Sequence, residues 1–267
     1  MLGRAFGALV DGLLPPRCHH CASPVLRNAW SPFLCTRCAA ALRPCYQRLD
    51  LGVGHPGRGL LLYTGPCRSL VRALKFQGCV SIGRRFGHAM VPLLESVPPG
   101  TLAVVPMPLH WRRQWIRGHN QARAIAGALA LARPGAQLCP LLCRMRPTAP
   151  QVGRGAAARE RNMRNAFALA HRYRGGGCPP RVVLVDDVIT TGATMRAAVR
   201  CLRAGGARHV WACAAAVTPP SSPTSTLEGD RWRRRDARRC DPVASASADA
   251  LASSRAALWP VARTTSR

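Results

Sequence analysis

Residues 182–206 read VVLVDDVITTGATMRAAVRCLRAGG, and the order of side-chain types along them sets out a strand, a polar loop and a helix. Val182 to Val185 is an unbroken apolar run between Pro179-Pro180 and two aspartates. That is the pattern of a strand buried on both faces of a parallel sheet. Past Thr190, Thr191, Gly192 and Thr194, the apolar residues Met195, Ala198, Val199 and Leu202 recur at helical spacing. Gly205-Gly206 marks the C-terminal cap of that helix. Asp186 and Asp187 therefore stand at the carboxyl end of a strand, where open α/β sheets bind their ligands.

Hydroxyls and a glycine at a helix N-terminus offer backbone N–H donors, side-chain donors and the positive end of the helix dipole. This combination suits a phosphate. The dipole contributes about 0.3–1 kcal/mol and each charge-assisted hydrogen bond about 1.5–3 kcal/mol, so several donors must converge on a dianion. Asp186 and Asp187 would repel that phosphate. They suit vicinal hydroxyls or a Mg²⁺ ion, and a ligand with a sugar diol at one end and a 5′-phosphate at the other fits both halves.

The stretch VVLVDDVITTGAT resembles the phosphoribosyl-pyrophosphate (PRPP) signature of type I phosphoribosyltransferases. From about Cys18 to Val217 the chain resembles the ComF family, also described as ComFC/GntX-like or amidophosphoribosyltransferase-like. The resemblance implies an α/β fold, with a type I phosphoribosyltransferase-like parallel sheet flanked by helices and preceded by a small zinc-ribbon module. It also implies that Mg²⁺-PRPP, or a similar phosphoribosyl ligand, binds Asp186, Asp187, Thr190, Thr191, Gly192, Ala193 and Thr194. The phosphoribosyl group would pass to an unknown acceptor with release of pyrophosphate. The alternative function is non-catalytic: a single-stranded DNA-binding competence protein acting in DNA uptake and natural transformation, its zinc module docking a helicase-like partner. An apolar strand ending in Asp-Asp also looks like a Walker B strand. The GxxxxGK[ST] of a P-loop is missing, because the one lysine, Lys75, follows a leucine. No residue stands out as a general base.

Three further blocks extend the resemblance. Thr101 to Pro106 reads as a second apolar strand, followed by MPLHWRRQWIRGHNQA. By resemblance this loop holds pyrophosphate, with Arg112, Arg113, Arg117, Gly118, Asn120 and Gln121 as its residues. Guanidinium forks match phosphate oxygens, and a glycine lets the backbone approach a ligand. Asn120 and Gln121 lead into an alanine-rich helix over 121–132. Residues 144–167 match the family's flap block through Gln151, Arg159 and Asn162, the loop that closes over PRPP and excludes water; an arginine there also suits a nucleic-acid phosphate. In LLYTGPCRSLVRALKFQG, Leu70, Val71, Leu74 and Lys75 lie at helical spacing. A compact ammonium fits beside an anion or a loop carbonyl; a solvated helix lysine is the plain alternative.

Cys18-x-x-Cys21 and Cys35-x-x-Cys38 are two knuckles, each able to present two thiolates to one structural Zn²⁺. Two knuckles together argue against a redox pair. Zinc can supply about 10–16 kcal/mol of apparent binding energy to a module too small to fold on its own core. Three segments follow: residues 1–50 with an N-terminal amphipathic helix and the zinc ribbon, 55–217 as the phosphoribosyltransferase-like domain, and 218–267 as an Arg/Ser/Ala-rich tail expected to be disordered.

The 267 residues carry a formal charge of +28, and 38 of their 39 basic residues are arginine. Such a balance suits polyanions through counterion release, and a GC-rich coding bias writes the same composition. Before residue 219 the acids are Asp11, Asp50, Glu95, Glu160, Asp186 and Asp187, and the adjacent pair sits in the PRPP-like stretch. No apolar run reaches the ~18 residues of a membrane span, and the cysteine usage reads as cytoplasmic.

Overall fold

A computed structural model describes residues 16–25, 33–45, 48, 49, 51, 57–145, 166–173 and 177–219, without the side chains of Arg113 and Arg172. The chain divides into two units, Met1–Thr218 and Pro219–Arg267, and every element below belongs to the first. The N-terminal helix, the flap residues Gln151, Arg159 and Asn162, and the tail lie outside the described residues.

The strand expected at Val182–Val185 is β7 of the fold, Arg181–Ile189, and it runs on through both aspartates. It does so because β8, His209–Val217, pairs with it in parallel along its full length, from Arg181↔His209 to Ile189↔Val217. On its other side β7 pairs in parallel with β3, Leu102–Pro106, from Ala103↔Val182 to Pro106↔Val185. Strands β1 (Arg48–Leu49), β2 (Gly57–Leu62) and β4 (Ala136–Leu138) complete a six-stranded sheet in the order β1-β2-β8-β7-β3-β4. It is parallel except for β1, which joins β2 antiparallel. This is the expected parallel sheet flanked by helices. Strands β5 (Leu142–Arg144) and β6 (Phe167–Leu169) form a separate antiparallel ribbon.

The helices follow apolar faces legible in the sequence. They are α1 (Thr36–Ala40), α2 (Gly65–Phe76), α3 (Val80–Ala89), α4 (Trp111–Arg117), α5 (Gln121–Ala132) and α6 (Ala193–Ala204). Helix α6 buries Met195, Ala198, Val199 and Leu202 in a core shared with Ala103, Val105, Val182, Leu184 and Val210 of the sheet. Fully burying each large apolar side chain contributes about 1.5–3 kcal/mol, so the helix is fixed by packing rather than by propensity.

Gly57–Leu62 carries two glycines, yet it forms β2, paired with β8 inside the main sheet. The glycines that disguise it are there for space. A Cβ on Gly59 would run into the Val217 side chain, and one on Gly57 would stand 2.9 Å from Leu51 Cδ1.

Helices α3 and α5 cross at small residues. A Cβ on Gly87 would meet the Ile125 carbonyl oxygen, Ala128 Cβ at 2.7 Å and the Leu129 backbone nitrogen at 2.9 Å. Gly127, also in α5, would meet only Leu138 Cδ2 at 3.8 Å, an ordinary contact. The two positions should respond with opposite sign. Gly87→Ala should destabilise by about 1–3 kcal/mol through overpacking, whereas Gly127→Ala should stabilise by about 0.5–1 kcal/mol through helix propensity. Chemical denaturation of the two variants checks this; a stabilised Gly87→Ala would refute the close crossing.

Candidate functional site

Chain direction reverses between β3 and β7. From β3 the chain crosses through α5 outward to β4, and from β7 it crosses through α6 the other way to β8. The loops leaving the carboxyl ends of β3 and β7 thus diverge and leave a crevice, the switch point at which such sheets hold ligands. The two loops predicted to carry phosphate and pyrophosphate are these loops. They are tied where they part, since the Met107 N–H donates to the Val185 carbonyl at 2.8 Å and Asn120 Nδ2 donates to the Met107 carbonyl at 3.1 Å.

Asp186 and Asp187 occupy the last turn of pleat before the crevice. The Asp187 N–H donates to Asp186 Oδ1 at 2.8 Å, and the Val188 N–H donates to Asp187 Oδ1 at 2.9 Å. Asp187 Oδ2 lies 2.8 Å from Lys75 Nζ, an electrostatic contact without an aligned hydrogen bond. Side-chain exposures of 21% for Lys75 and 12% for Asp187 put the pair largely out of water, where its geometry is held by packing. The one lysine of the chain is therefore placed beside an anion, as one of its two sequence readings had it. Burial, and then the neighbouring Asp187 carboxylate, push the Asp186 carboxyl well above the usual carboxylate range; the Lys75 ammonium offsets part of this.

Beyond Ile189 the chain turns through Thr190 and Thr191, both exposed, to Gly192. Gly192 has φ 74° and caps α6 in the left-handed region. A side chain there would be strained and would also press on Leu51 Cδ2. No side chain caps the helix, so its first N–H groups face the loop, and Ala193 and Thr194 begin its first turn. Arg196 Nη1 braces the loop from behind by donating to the Thr191 carbonyl at 3.0 Å.

The pyrophosphate block is arranged differently from its reading as an arginine-rich loop. After Met107–His110 the chain forms helix α4, and Arg112 and Arg117 stand on that helix. Arg112 lies over the Trp111 ring at 5.2 Å, and Arg117 over the Phe76 ring at 5.0 Å. Gly118 ends α4 with φ 70°, and Asn120 caps α5 through its side chain, accepting from the Arg123 N–H, so Gln121 starts the helix where expected. His119 links two elements. Its Nδ1 is 2.9 Å from the Arg117 carbonyl oxygen and its Nε2 2.7 Å from the Leu74 carbonyl oxygen, which fixes the α4–α5 turn against α2 one residue before Lys75. Spacing alone carries no signal for this tie or for the Lys75–Asp187 pair, because both join segments distant in sequence.

Cys18, Cys21, Cys35 and Cys38 gather so that their sulfurs all lie within 4.8 Å of one another, with Cys21 and Cys35 at 3.6 Å. Four thiolates tetrahedral about zinc at ~2.3 Å sit about 3.8 Å apart, so the quartet fits a metal such as zinc. The first knuckle is closed by the Ala22 N–H donating to the Cys18 carbonyl, with Ala22 at φ 60°. The second opens at Cys35, the N-cap of α1. Cys45 is buried in the main core, and His20 faces Ser69 Oγ at 3.0 Å.

The electrostatics of Asp186 give a sign. Its carboxyl is raised on folding, so the native state carries it without penalty below the ordinary carboxylate pKa. Stability is then lost as pH rises from that value toward the raised one. Asp186→Asn should melt at a higher temperature than wild type at neutral pH and should lose the advantage in acid, measured by thermal denaturation across pH 3–8. Equal melting at every pH would mean that Asp186 is not held against its charge.

The phosphoribosyl transferase domain family matches residues 180–233, a span that takes in β7, the threonine loop, α6 and β8. Among the described residues no helix is long and apolar enough to cross a membrane. Competence protein F of Haemophilus influenzae is 31% identical over 215 residues, covering 75% of this chain and 85% of that one. DNA utilization protein YhgH of Salmonella typhi is 31% identical over 222 residues, covering 74% and 95%. Competence protein ComFC of Streptococcus pneumoniae is 24% identical over 184 residues, covering 68% and 76%. Likeness of this extent, on a phosphoribosyltransferase-type sheet with a cysteine quartet ahead of it, makes the chain a member of the ComF family.

Proposed function

We propose that the crevice between the β3 and β7 loops binds PRPP, or a similar phosphoribosyl ligand, together with Mg²⁺. The observation that carries this reading is the meeting of two unlike chemistries at one switch point: carboxylates at Asp186 and Asp187, and a hydroxyl-rich helix N-terminus at Thr190–Thr194. The carboxylates suit a ribose diol and a hard cation. The helix N-terminus suits the 5′-phosphate. Mg²⁺, when bound with the ligand, would neutralise pyrophosphate oxygens. Lys75 sets how much negative charge the pair presents, and the His119 tie keeps Lys75 and the α4–α5 turn in fixed relation. The reaction this pocket suits is transfer of the phosphoribosyl group, with the C1–O bond to pyrophosphate broken and a bond from an acceptor nucleophile formed.

A second reading is supported by a surface feature and by the names of the relatives. Trp111, Trp115 and Ile116 of α4 and Phe76 at the end of α2 are exposed, with Arg112 and Arg117 stacked among them. Aromatic faces interleaved with guanidiniums suit the bases and backbone of single-stranded DNA. We infer a role in DNA uptake and natural transformation in the cytoplasm, alongside a helicase-like partner. This reading and ligand binding in the crevice are compatible.

Calorimetric titration of PRPP with Mg²⁺ into the metal-loaded protein should show one site. Asp186→Asn combined with Asp187→Asn should weaken it by about tenfold or more. No heat from the folded wild type would overturn the ligand reading. An oligothymidylate titration in parallel separates the second: binding should weaken in Trp115→Ala and fall steeply with salt, while PRPP binding stays unchanged.

Zinc content gives the remaining test. The quartet should retain one Zn²⁺ per chain by elemental analysis, and Cys18→Ser with Cys38→Ser should retain none and unfold at lower temperature. A stable, metal-free wild type resistant to chelator would contradict a structural zinc module.

A further inference from the structure

The sheet register brings a second group of side chains together at its amino edge, the opposite end from the crevice. Arg181 pairs with His209, Arg58 with Cys213 and Arg48 with Arg58. His209, Trp211 and Cys213 alternate along β8. Paired residues share a face and alternate residues return to it, so all six side chains fall on one side of the sheet. They line a cavity of about 610 Å³ that is also lined by Leu93, Leu94, Ser96 and Pro98. That size is in the range of small-molecule sites.

Its electrostatics are one-sided. No acidic side chain among the described residues lines the cavity. Arg48 and Arg58 are directly opposite each other across an antiparallel pair, and like charges in that position are destabilising. Arg181 already donates through Nη1 to the Pro99 carbonyl at 2.9 Å and through Nη2 to the Pro98 carbonyl, which fixes its guanidinium at the rim. It also lies over Trp211 at 6.0 Å, while His209 stacks on the same ring at 5.9 Å and 22°. A half-buried indole beside three guanidiniums combines an apolar plate with charge suited to adjacent phosphoryl groups.

We propose that this cavity is a second binding site, for a nucleoside polyphosphate, with Arg48 and Arg58 on the phosphoryl groups and Trp211 against the base. The bound anion relieves the Arg48–Arg58 repulsion, so the site is coupled to the stability of the β1–β2 edge. It owes nothing to the carboxylates of the crevice and stands or falls separately from PRPP binding.

The test uses the full-length, metal-loaded protein with ADP as probe, and with pyrophosphate and adenosine as its two halves. ADP should bind and raise the melting temperature, pyrophosphate should bind more weakly, and adenosine should not bind detectably. Arg58→Gln should weaken ADP by about 10–100-fold, the loss of one or more charge-assisted hydrogen bonds. The same variant, without ligand and at low salt, should melt at or above the wild-type temperature. Trp211→Leu should bring ADP down to the affinity of pyrophosphate. Asp186→Asn with Asp187→Asn should leave ADP binding intact. The proposal is overturned if wild type ignores ADP, if ADP binding survives Arg58→Gln but is lost with the aspartates, or if Arg58→Gln is itself unstable while Arg48→Gln binds ADP normally. Oligothymidylate binding as tightly as ADP, with the same dependence on Arg58, would make this a strand site and would equally overturn it.

Discussion

Strands β3 and β7 pair in parallel from Ala103↔Val182 to Pro106↔Val185, and every arrangement at the crevice depends on that short ladder. All of β3 is buried, as are Val182 to Val185 of β7. Because side chains alternate across a strand, a slip of one residue would turn each apolar set to the wrong face, so burial on both sides fixes the register. With the register fixed, Met107 meets the Val185 carbonyl and the two loops must separate there. The aspartates continue β7 in its ladder with β8, where Asp186↔Ala214 are paired. Two carboxylates are thereby held on a rigid strand rather than on a loop free to move them apart.

That rigidity has an energetic cost. Asp186 is half-buried next to another carboxylate, and Lys75 is engaged with Asp187 rather than with Asp186. A stability optimum would use an amide at residue 186. A binding site for a diol or a cation needs the second carboxylate, so the local destabilisation is a reason to read this edge as functional. Lysine suits the countercharge better than arginine here. An ammonium meets one oxygen as a compact charge, whereas a guanidinium fork is shaped to engage two.

The strand-loop-helix unit at 182–206, the second strand, the helix over 121–132 and the four cysteines were all legible, since each is a local pattern of period, cap or spacing. What escaped was whatever depends on a distant partner. The aspartates were read as standing at the carboxyl end of the strand, whereas the strand runs on past them to Ile189. They lie within it because β8 supplies a ladder of equal length. Glycine disguises the strand at residues 57–62 unless the neighbour that excludes a Cβ is known. The arginines after Pro108 were read as lying on a loop. They fold into α4 because His110 caps a helix there, its Nδ1 accepting from the Arg112 N–H.

The arginine excess follows a physical rule of its own. A chain with so few acids cannot neutralise its guanidiniums in salt bridges, and the structure disposes of them in two other ways. Arg112, Arg117, Arg144 and Arg181 lie over Trp111, Phe76, Phe167 and Trp211. Arg133, Arg181 and Arg196 donate to the backbone carbonyls of Val97, Pro99 and Thr191. Both arrangements orient the guanidinium through a ring face or a backbone carbonyl. A lysine would do either less well, having neither a flat face to stack nor a fork to span. A coding bias toward arginine can therefore be absorbed by the fold and still yield fixed positive surfaces. Composition alone could not choose between bias and polyanion binding because one does not exclude the other.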